Sequence, residues 1–260
     1  MRIATFNING VKARLPALID WLREAAPDVT LLQEIKSVDE GFPREPIEDL
    51  GYNVETHGQK GFNGVAILSK RPIEDVVRGL PGDESDEQAR WIEATISGDR
   101  GAARVCCLYL PNGNPAPGPK YDYKLAWMRR LEMRAAELLA AEETAIIAGD
   151  YNVIPQEEDA HNPEAWTEDA LYLPETRAAW RRLLALGLTD AFRALNAAPM
   201  SYTFWDYQAG AWPKNNGVRI DHLLLTPQAA DRLIACEIDR KPRGGEKPSD
   251  HTPIWADIEI

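Results

Sequence analysis

Ala145-Ile146-Ile147-Ala148-Gly149-Asp150-Tyr151-Asn152 is an apolar run that ends in a carboxylate, a phenol and an amide. Thr144–Ala148 is too short for a helix and has no polar face, so it reads as an interior strand. Its polar end then lies at a sheet rim, where α/β folds place ligands. The same pattern recurs on both sides. Arg2–Asn7 reads as a strand that finishes on Asn7, and Val29–Gln33 as one that runs into Glu34. Gly64–Ser69, Ala89–Ile96 and Ala103–Leu110 read as further strands, the last carrying Tyr109. Val218–Leu225 carries Asp221, and Ser249-Asp250-His251 precedes a closing strand over Pro253–Ile260.

Between these runs the period changes. Val11, Leu15, Leu18, Ile19 and Leu22 share one helical face, and Pro27-Asp28 stops that helix. Tyr123–Ala141 is helical, with Trp127, Leu131 and Leu138 on one side. Thr176–Leu186 is helical up to a left-handed stop at Gly187. Pro111-Asn112-Gly113-Asn114-Pro115-Ala116-Pro117-Gly118-Pro119 is too rich in Pro and Gly for either element and reads as a surface loop. Strands outnumber helices, and turns often join them. That implies a mixed sheet or layered α/β sandwich rather than a purely parallel fold. There is no repeat, low-complexity tract or long linker, so residues 1–260 are expected to form a single domain.

Composition bounds the function. The chain has 29 Lys and Arg against 41 Asp and Glu, a net charge of −12, with 44% hydrophobic residues. No apolar run approaches the roughly 20 residues of a membrane span. The first residues lack the apolar core of a secretory signal. Three cysteines cannot all pair within one chain, so a reducing cytoplasm is the expected compartment. The acidic balance weighs against a polyanionic partner, but net charge sums all faces and a metal site itself needs carboxylates.

Taken singly, each rim residue has an ordinary explanation. Asn7 suits a turn, Glu34 a solvated surface, Tyr109 a core strand, and Asp250-His251 a capped turn. Together they form a set suited to phosphodiester hydrolysis. That reaction needs a hard cation, a positioned water and donors for charge growing on the phosphoryl oxygens. Glu34 is the leading metal ligand, with Asn7 beside it. Asp150 orients or deprotonates the water, and Asn152 fixes its position. His251, held by a carboxylate such as Asp221, is protonated and donates to the phosphate.

The blocks Leu32-Gln33-Glu34-Ile35-Lys36, Gly64-Val65-Ala66-Ile67-Leu68-Ser69, Tyr109-Leu110-Pro111-Asn112-Gly113, Gly149-Asp150-Tyr151-Asn152, Arg219-Ile220-Asp221 and Ser249-Asp250-His251 resemble the exonuclease III family of abasic-site DNA endonucleases. Asp169-Ala170-Leu171-Tyr172 and Pro174-Glu175-Thr176-Arg177 resemble its bacterial members. The match spans almost the whole chain in the family's order. The resemblance implies a four-layer α/β sandwich: two packed, largely antiparallel mixed sheets flanked by helices, as in the endonuclease/exonuclease/phosphatase superfamily. It places Glu34 and Asn7 at the metal site, with Asp150, Asn152 and Asp250 as further ligand candidates. Tyr109, Asp150, Asn152, Asp221 and His251 match catalytic positions, with Asp150 the base. The cofactor implied is Mg2+, with Mn2+ as a substitute, and one or two ions.

The implied reaction is hydrolysis of the phosphodiester 5′ to an abasic site in duplex DNA, leaving a 3′-hydroxyl and a 5′-deoxyribose phosphate. Removal of 3′ nucleotides and trimming of 3′ blocking groups would use the same site. A sugar without its base is cheaper to rotate out of the helix, and a small apolar pocket accepts it. By resemblance Phe204, Trp205, Val218 and Ile220 line that pocket, and Asn112 and Gly113 lie near the DNA backbone. Lys120, Lys124, Arg129, Lys214 and Arg219 flank these segments and are expected to meet DNA phosphates. The partners expected are duplex DNA with abasic sites or 3′ ends. No membrane or protein partner is implied, and the chain is expected to be a monomer. The rivals are a general deoxyribonuclease or phosphoinositide phosphatase of the same superfamily, which commonly uses two histidines, and a catalytically inactive binding module.

Overall fold

Buried apolar runs become strands, and single apolar faces become helices, in a computed structural model that describes residues 1–260. In chain order the elements are Arg2–Asn7 (β1), Val11–Ala25 (α1), Val29–Gln33 (β2), Glu45–Glu48 (α2), Asn53–His57 (β3), Val65–Ser69 (β4), Glu74–Arg78 (β5), Trp91–Ser97 (β6) and Ala102–Tyr109 (β7). There follow Pro119–Ala140 (α3), Ala145–Asp150 (β8), Pro174–Ala185 (α4), Thr189–Asp190 (β9), Ala191–Leu195 (α5), Asp221–Leu225 (β10), Pro227–Ala230 (α6), Leu233–Ile238 (β11) and Ile254–Ile258 (β12).

The strands form two six-stranded sheets, ordered β11-β12-β1-β2-β4-β3 and β5-β6-β7-β8-β10-β9. Each sheet holds one parallel pair, β1–β2 and β7–β8, and the other pairings are antiparallel. A parallel pair needs a crossover, and α1 and α3 supply the two.

Strand alternation divides the apolar side chains between three layers of core. Ile3, Val29, Leu31, Val105, Cys107, Ile146 and Leu223 meet between the sheets. Phe6 and Leu32 face Leu18 and Leu22 of α1. Cys106, Leu108 and Ile147 face Trp127 and Leu131 of α3 and Trp180 of α4. The order is therefore helix, sheet, sheet, helix: the four-layer sandwich expected. Cys106 and Cys107 point to opposite faces, and all three cysteines are buried and unpaired. No helix is long and apolar enough to cross a membrane.

Some boundaries differ from the sequence reading. β10 begins at Asp221 rather than Val218, because Val218 bridges to Phe204 and Ala160 instead of joining the ladder. α3 begins at Pro119, four residues early, because proline at the first helical position lacks only an N–H that the helix leaves unpaired there.

Candidate active site

The two parallel pairs decide where the polar residues gather. β1 and β2 end together at Asn7 and Gln33, so Glu34 leaves beside Asn7. β7 and β8 end together at Tyr109 and Asp150, paired in register. The chain approaches the same rim from the other direction on the antiparallel neighbours. Asp221 opens β10 opposite Asp150, and His251 lies just before β12, which starts opposite Thr5 of β1. Since β1 lies across the core from β8 and β10, both rims form one cleft.

Gly149 makes the second pair possible. Its φ is +156°, and a Cβ there would lie 1.9 Å from the Leu108 carbonyl oxygen. Only glycine lets β8 approach β7 at this point.

One amide ties the sheets together. Asn7 Nδ2 donates to Glu34 Oε1 at 3.0 Å and to Asp150 Oδ2 at 2.9 Å. His251 Nδ1 lies 2.8 Å from Asp221 Oδ2, and its Nε2 lies 3.7 Å from Asp150 Oδ2. Glu34, Asp150 and His251 thus each bring an atom within 4.8 Å of the others. Asp250 stands outside this set; its Oδ1 accepts from Asn9 Nδ2 and from Ser249 Oγ. Asn152 is held through its own amide: Nδ2 donates to Leu110 O, and Oδ1 accepts from Asn112 Nδ2. Glu34 and Asn152 have φ of 49° and 46°, left-handed values that non-glycine residues rarely take. Such strain clusters at functional sites.

Burial and neighbours set the charges. Burial raises the Asp150 carboxyl pKa, and Asp221 adds to it, against His251 and two hydrogen bonds. Burial disfavours the His251 imidazolium, but Asp221 and Asp150 outweigh it and hold the pKa well above the ordinary histidine value. The pair therefore holds a proton on the imidazole side. Burial also works against the Glu34 carboxylate, and the Asn7 amide and Lys36 ammonium overcome it, keeping the pKa low. Tyr109 is pushed far up by burial and then by Glu34 and Asp150, so its phenol stays protonated.

The donor set fits a divalent cation. Two carboxylates bridged by one amide, one of them reachable from solvent, are the hard oxygen ligands such an ion takes. Lys36 Nζ, 2.9 Å from Glu34 Oε2, already places positive charge beside them. Sequence reasoning missed this lysine and Asn9, which accepts from Lys36 Nζ at 2.6 Å. Their spacing around Glu34 was visible, but left-handed turns at Asn9, Glu34 and Lys36 break any regular facing rule.

A family profile described as Endonuclease/Exonuclease/phosphatase family matches residues 4–251. The chain belongs to the Endonuclease/Exonuclease/phosphatase family. It is 38% identical to Exodeoxyribonuclease III of Haemophilus influenzae, with both chains covered in full. It superposes on an AP endonuclease from Archaeoglobus fulgidus with a TM-score of 0.94 at 38% identity, both chains fully covered. It superposes equally well, at 0.95 and 35% identity with full coverage of both chains, on the 3′ phosphatase NExo from Neisseria, whose structure holds a product DNA hairpin.

In this Endonuclease/Exonuclease/phosphatase family chain the expected substrate contacts divide. Phe204 is half-buried; its ring stacks edge-on against His251 at 5.0 Å and packs with Val218 and Ile220. Trp205 is corrected: strand alternation turns it away into a cluster with Tyr202 and Ala211, fully buried, its Nε1 bonded to Asn215 Oδ1. Arg219 is also corrected. It is fully buried, and Asp159 and Asp190 neutralise it at 2.7 and 2.9 Å, so it cannot meet DNA phosphates. Lys124 is the third correction, being 0% exposed. Burial drives its pKa down to about 7, against the pull of Asp150 and Asp169. Lys120, Arg129 and Lys214 are exposed, Lys214 bonded to Ala209 O. Asn112 is exposed beside Asn152, and Gly113 is buried behind it.

Proposed function

We propose that this chain is a divalent-metal-dependent DNA repair nuclease. It hydrolyses the phosphodiester 5′ to abasic sites in duplex DNA, and its site also serves 3′→5′ exonuclease and 3′-phosphatase activity. The observation that carries this reading is the convergence of Glu34, Asp150 and His251, the two carboxylates bridged by the Asn7 amide, in a cleft built from both sheets. The relatives' own names give the substrate class: an exodeoxyribonuclease, an AP endonuclease and a 3′ phosphatase holding product DNA.

Glu34 and Asp150 would hold the ion, with Mg2+ the natural choice and Mn2+ its substitute. When bound, it neutralises phosphate charge and lowers the pKa of a coordinated water. The remaining chemistry belongs to the chain. Asp150 orients the water or takes its proton. The His251 imidazolium, fixed through Nδ1 by Asp221, presents Nε2–H to the phosphoryl oxygen on which charge grows. Tyr109 keeps its proton and adds a neutral donor. Asn152 holds the Leu110 and Asn112 loop against Asp150. Phe204, Val218 and Ile220 supply an apolar wall for a sugar that carries no base.

His251 is the histidine in this set. His222 lies behind the sheet on Val153 O, and His57 is bonded to Trp91 O. That favours the abasic-site reading over the two-histidine phosphatases. Glu34, Asp150, Asn152 and His251 are all present and assembled, which argues against an inactive binding module. We also infer one domain acting as a monomer in the cytoplasm, in keeping with three buried free thiols.

The test uses a duplex with one abasic analogue, incubated with Mg2+ or with a chelator, and analysis of the product ends. Incision 5′ to the lesion that leaves a 3′-hydroxyl, stops on chelation and disappears in Asp150→Ala is expected. Cutting that survives complete chelation, or a preference for phosphoinositides, would overturn the reading.

A further inference from the structure

Lys124 is buried without a carboxylate partner. Its side chain runs from α3 between the two loops that leave β7 and β8, and its ammonium donates to Asn112 O at 3.1 Å and to Asn152 O in a short bond. No acidic group lies within ion-pair distance of it. Burying an ammonium on neutral carbonyls costs free energy that a methionine of similar size would not. What the lysine has and a methionine lacks is a set of N–H donors that reach both carbonyls.

The surroundings are shaped to admit it. Gly113 has a φ of +93°, and a Cβ at that position would lie 2.7 Å from Lys124 Cδ. The clamp completes the restraint of one residue. The Asn152 N–H donates to Asp150 Oδ1 at 2.9 Å, its Nδ2 donates to Leu110 O, its Oδ1 accepts from Asn112, and its carbonyl accepts from Lys124. All four polar groups of a residue in left-handed conformation are thereby engaged. The last of them reaches this residue from α3, a helix of the outer layer.

We propose that Lys124 is a positioning residue: it joins the Asn112 and Asn152 carbonyls and so fixes Asp150 and Asn152 in the cleft. For catalysis this rests on the nuclease reading above, but the clamp itself does not. The ammonium touches neither substrate nor ion. It holds the loop whose carboxylate does, at a precision on which misplacement by about 1 Å costs on the order of 100-fold in rate.

Lys124→Met keeps the volume and removes the donors; Lys124→Gln keeps an N–H at shorter reach. On the abasic duplex with Mg2+, kcat is expected to fall about 30- to 100-fold in Lys124→Met and less in Lys124→Gln, with KM within about threefold of wild type. The Tm should change little, since the cost of burying the amine is relieved while the Asn152 carbonyl loses its donor. Amide hydrogen exchange of free protein should quicken at least about tenfold at Asn152, with distant strands unchanged. Unchanged exchange at Asn152 overturns the clamp, as does a kcat within twofold of wild type in both variants or a loss confined to KM. A fall in kcat matched by a lower Tm and faster exchange throughout the core would make Lys124 merely structural and equally overturn it. If wild type itself fails to cut, the nuclease reading fails, while the exchange comparison still decides the clamp.

Discussion

Asp221 holds His251 through Oδ2, and its Oδ1 is buried with no partner at all. A carboxylate in that position loses hydration at one oxygen and recovers it only through the charge of the imidazolium. Asp221→Asn removes that charge and puts an N–H donor in place of an acceptor, so the ring turns or loses its proton. The expected result is a fall in kcat of about 100-fold or more with KM little changed, read on the abasic duplex. A kcat within threefold of wild type would show that the imidazolium is not required. His222, one residue on, behaves oppositely. Burial and then Arg219 push its pKa down from 6.5 to about 4, so the folded protein holds it neutral. Its Nδ1 faces Arg219 at 2.9 Å and its Nε2 donates to Val153 O at 3.0 Å. The unfolded chain binds a proton there that the folded chain refuses. The contribution is complete above pH 6.5 and is lost as pH falls towards 4, amounting to about 3 kcal/mol. Urea midpoints at pH 7 and pH 4.5 check this: wild type should lose more than His222→Gln over that interval, and equal losses would refute it.

At the scale of elements, β8 is the piece on which the site depends. It pairs in parallel with β7 and antiparallel with β10, and Gly149 is where its backbone passes closest to β7. Gly149→Ala sets a methyl carbon against Leu108 O and must break the β7–β8 ladder just before Asp150. We expect a loss above about 4 kcal/mol, seen as insoluble expression or a collapsed Tm, and a soluble protein of wild-type Tm would refute the packing argument. The strands legible in the sequence were those buried on both faces, such as β2 and β4, because continuous Val, Leu and Ile runs leave no other reading. The missed strands β3, β5, β9 and β11 are the four sheet edges. β5, Glu74-Asp75-Val76-Val77-Arg78, is mostly exposed and charged, so its period was hidden. The rim residues were legible because each sits at the end of a buried run. Whether a cation faces solvent was not: the fate of Arg219 depends on Asp159, sixty residues away, and that of Lys124 on two backbone carbonyls.

For the whole molecule the question is how a chain of net charge −12 engages a polyanion. Removing Arg219 and Lys124 from the expected contacts leaves fewer cations for DNA than the sequence promised. Lys120 is the best placed of those that remain. It lies on α3 one turn before Lys124, on the same face, exposed, at the helix end that adjoins the Asn112 loop. Arg129 is nine residues along the same helix, roughly 13 Å further from that end at 1.5 Å per residue. Each phosphate neutralised contributes about 0.9 to the slope of log K against log salt. Binding of Asp150→Ala to an abasic duplex in chelator should therefore weaken with salt on a shallow slope. Lys120→Ala should reduce that slope by about one unit, and Arg129→Ala should leave it nearly unchanged. Affinity that stays flat from low to moderate salt would mean that no basic face exists, and recognition would then rest on the cleft and its ion alone.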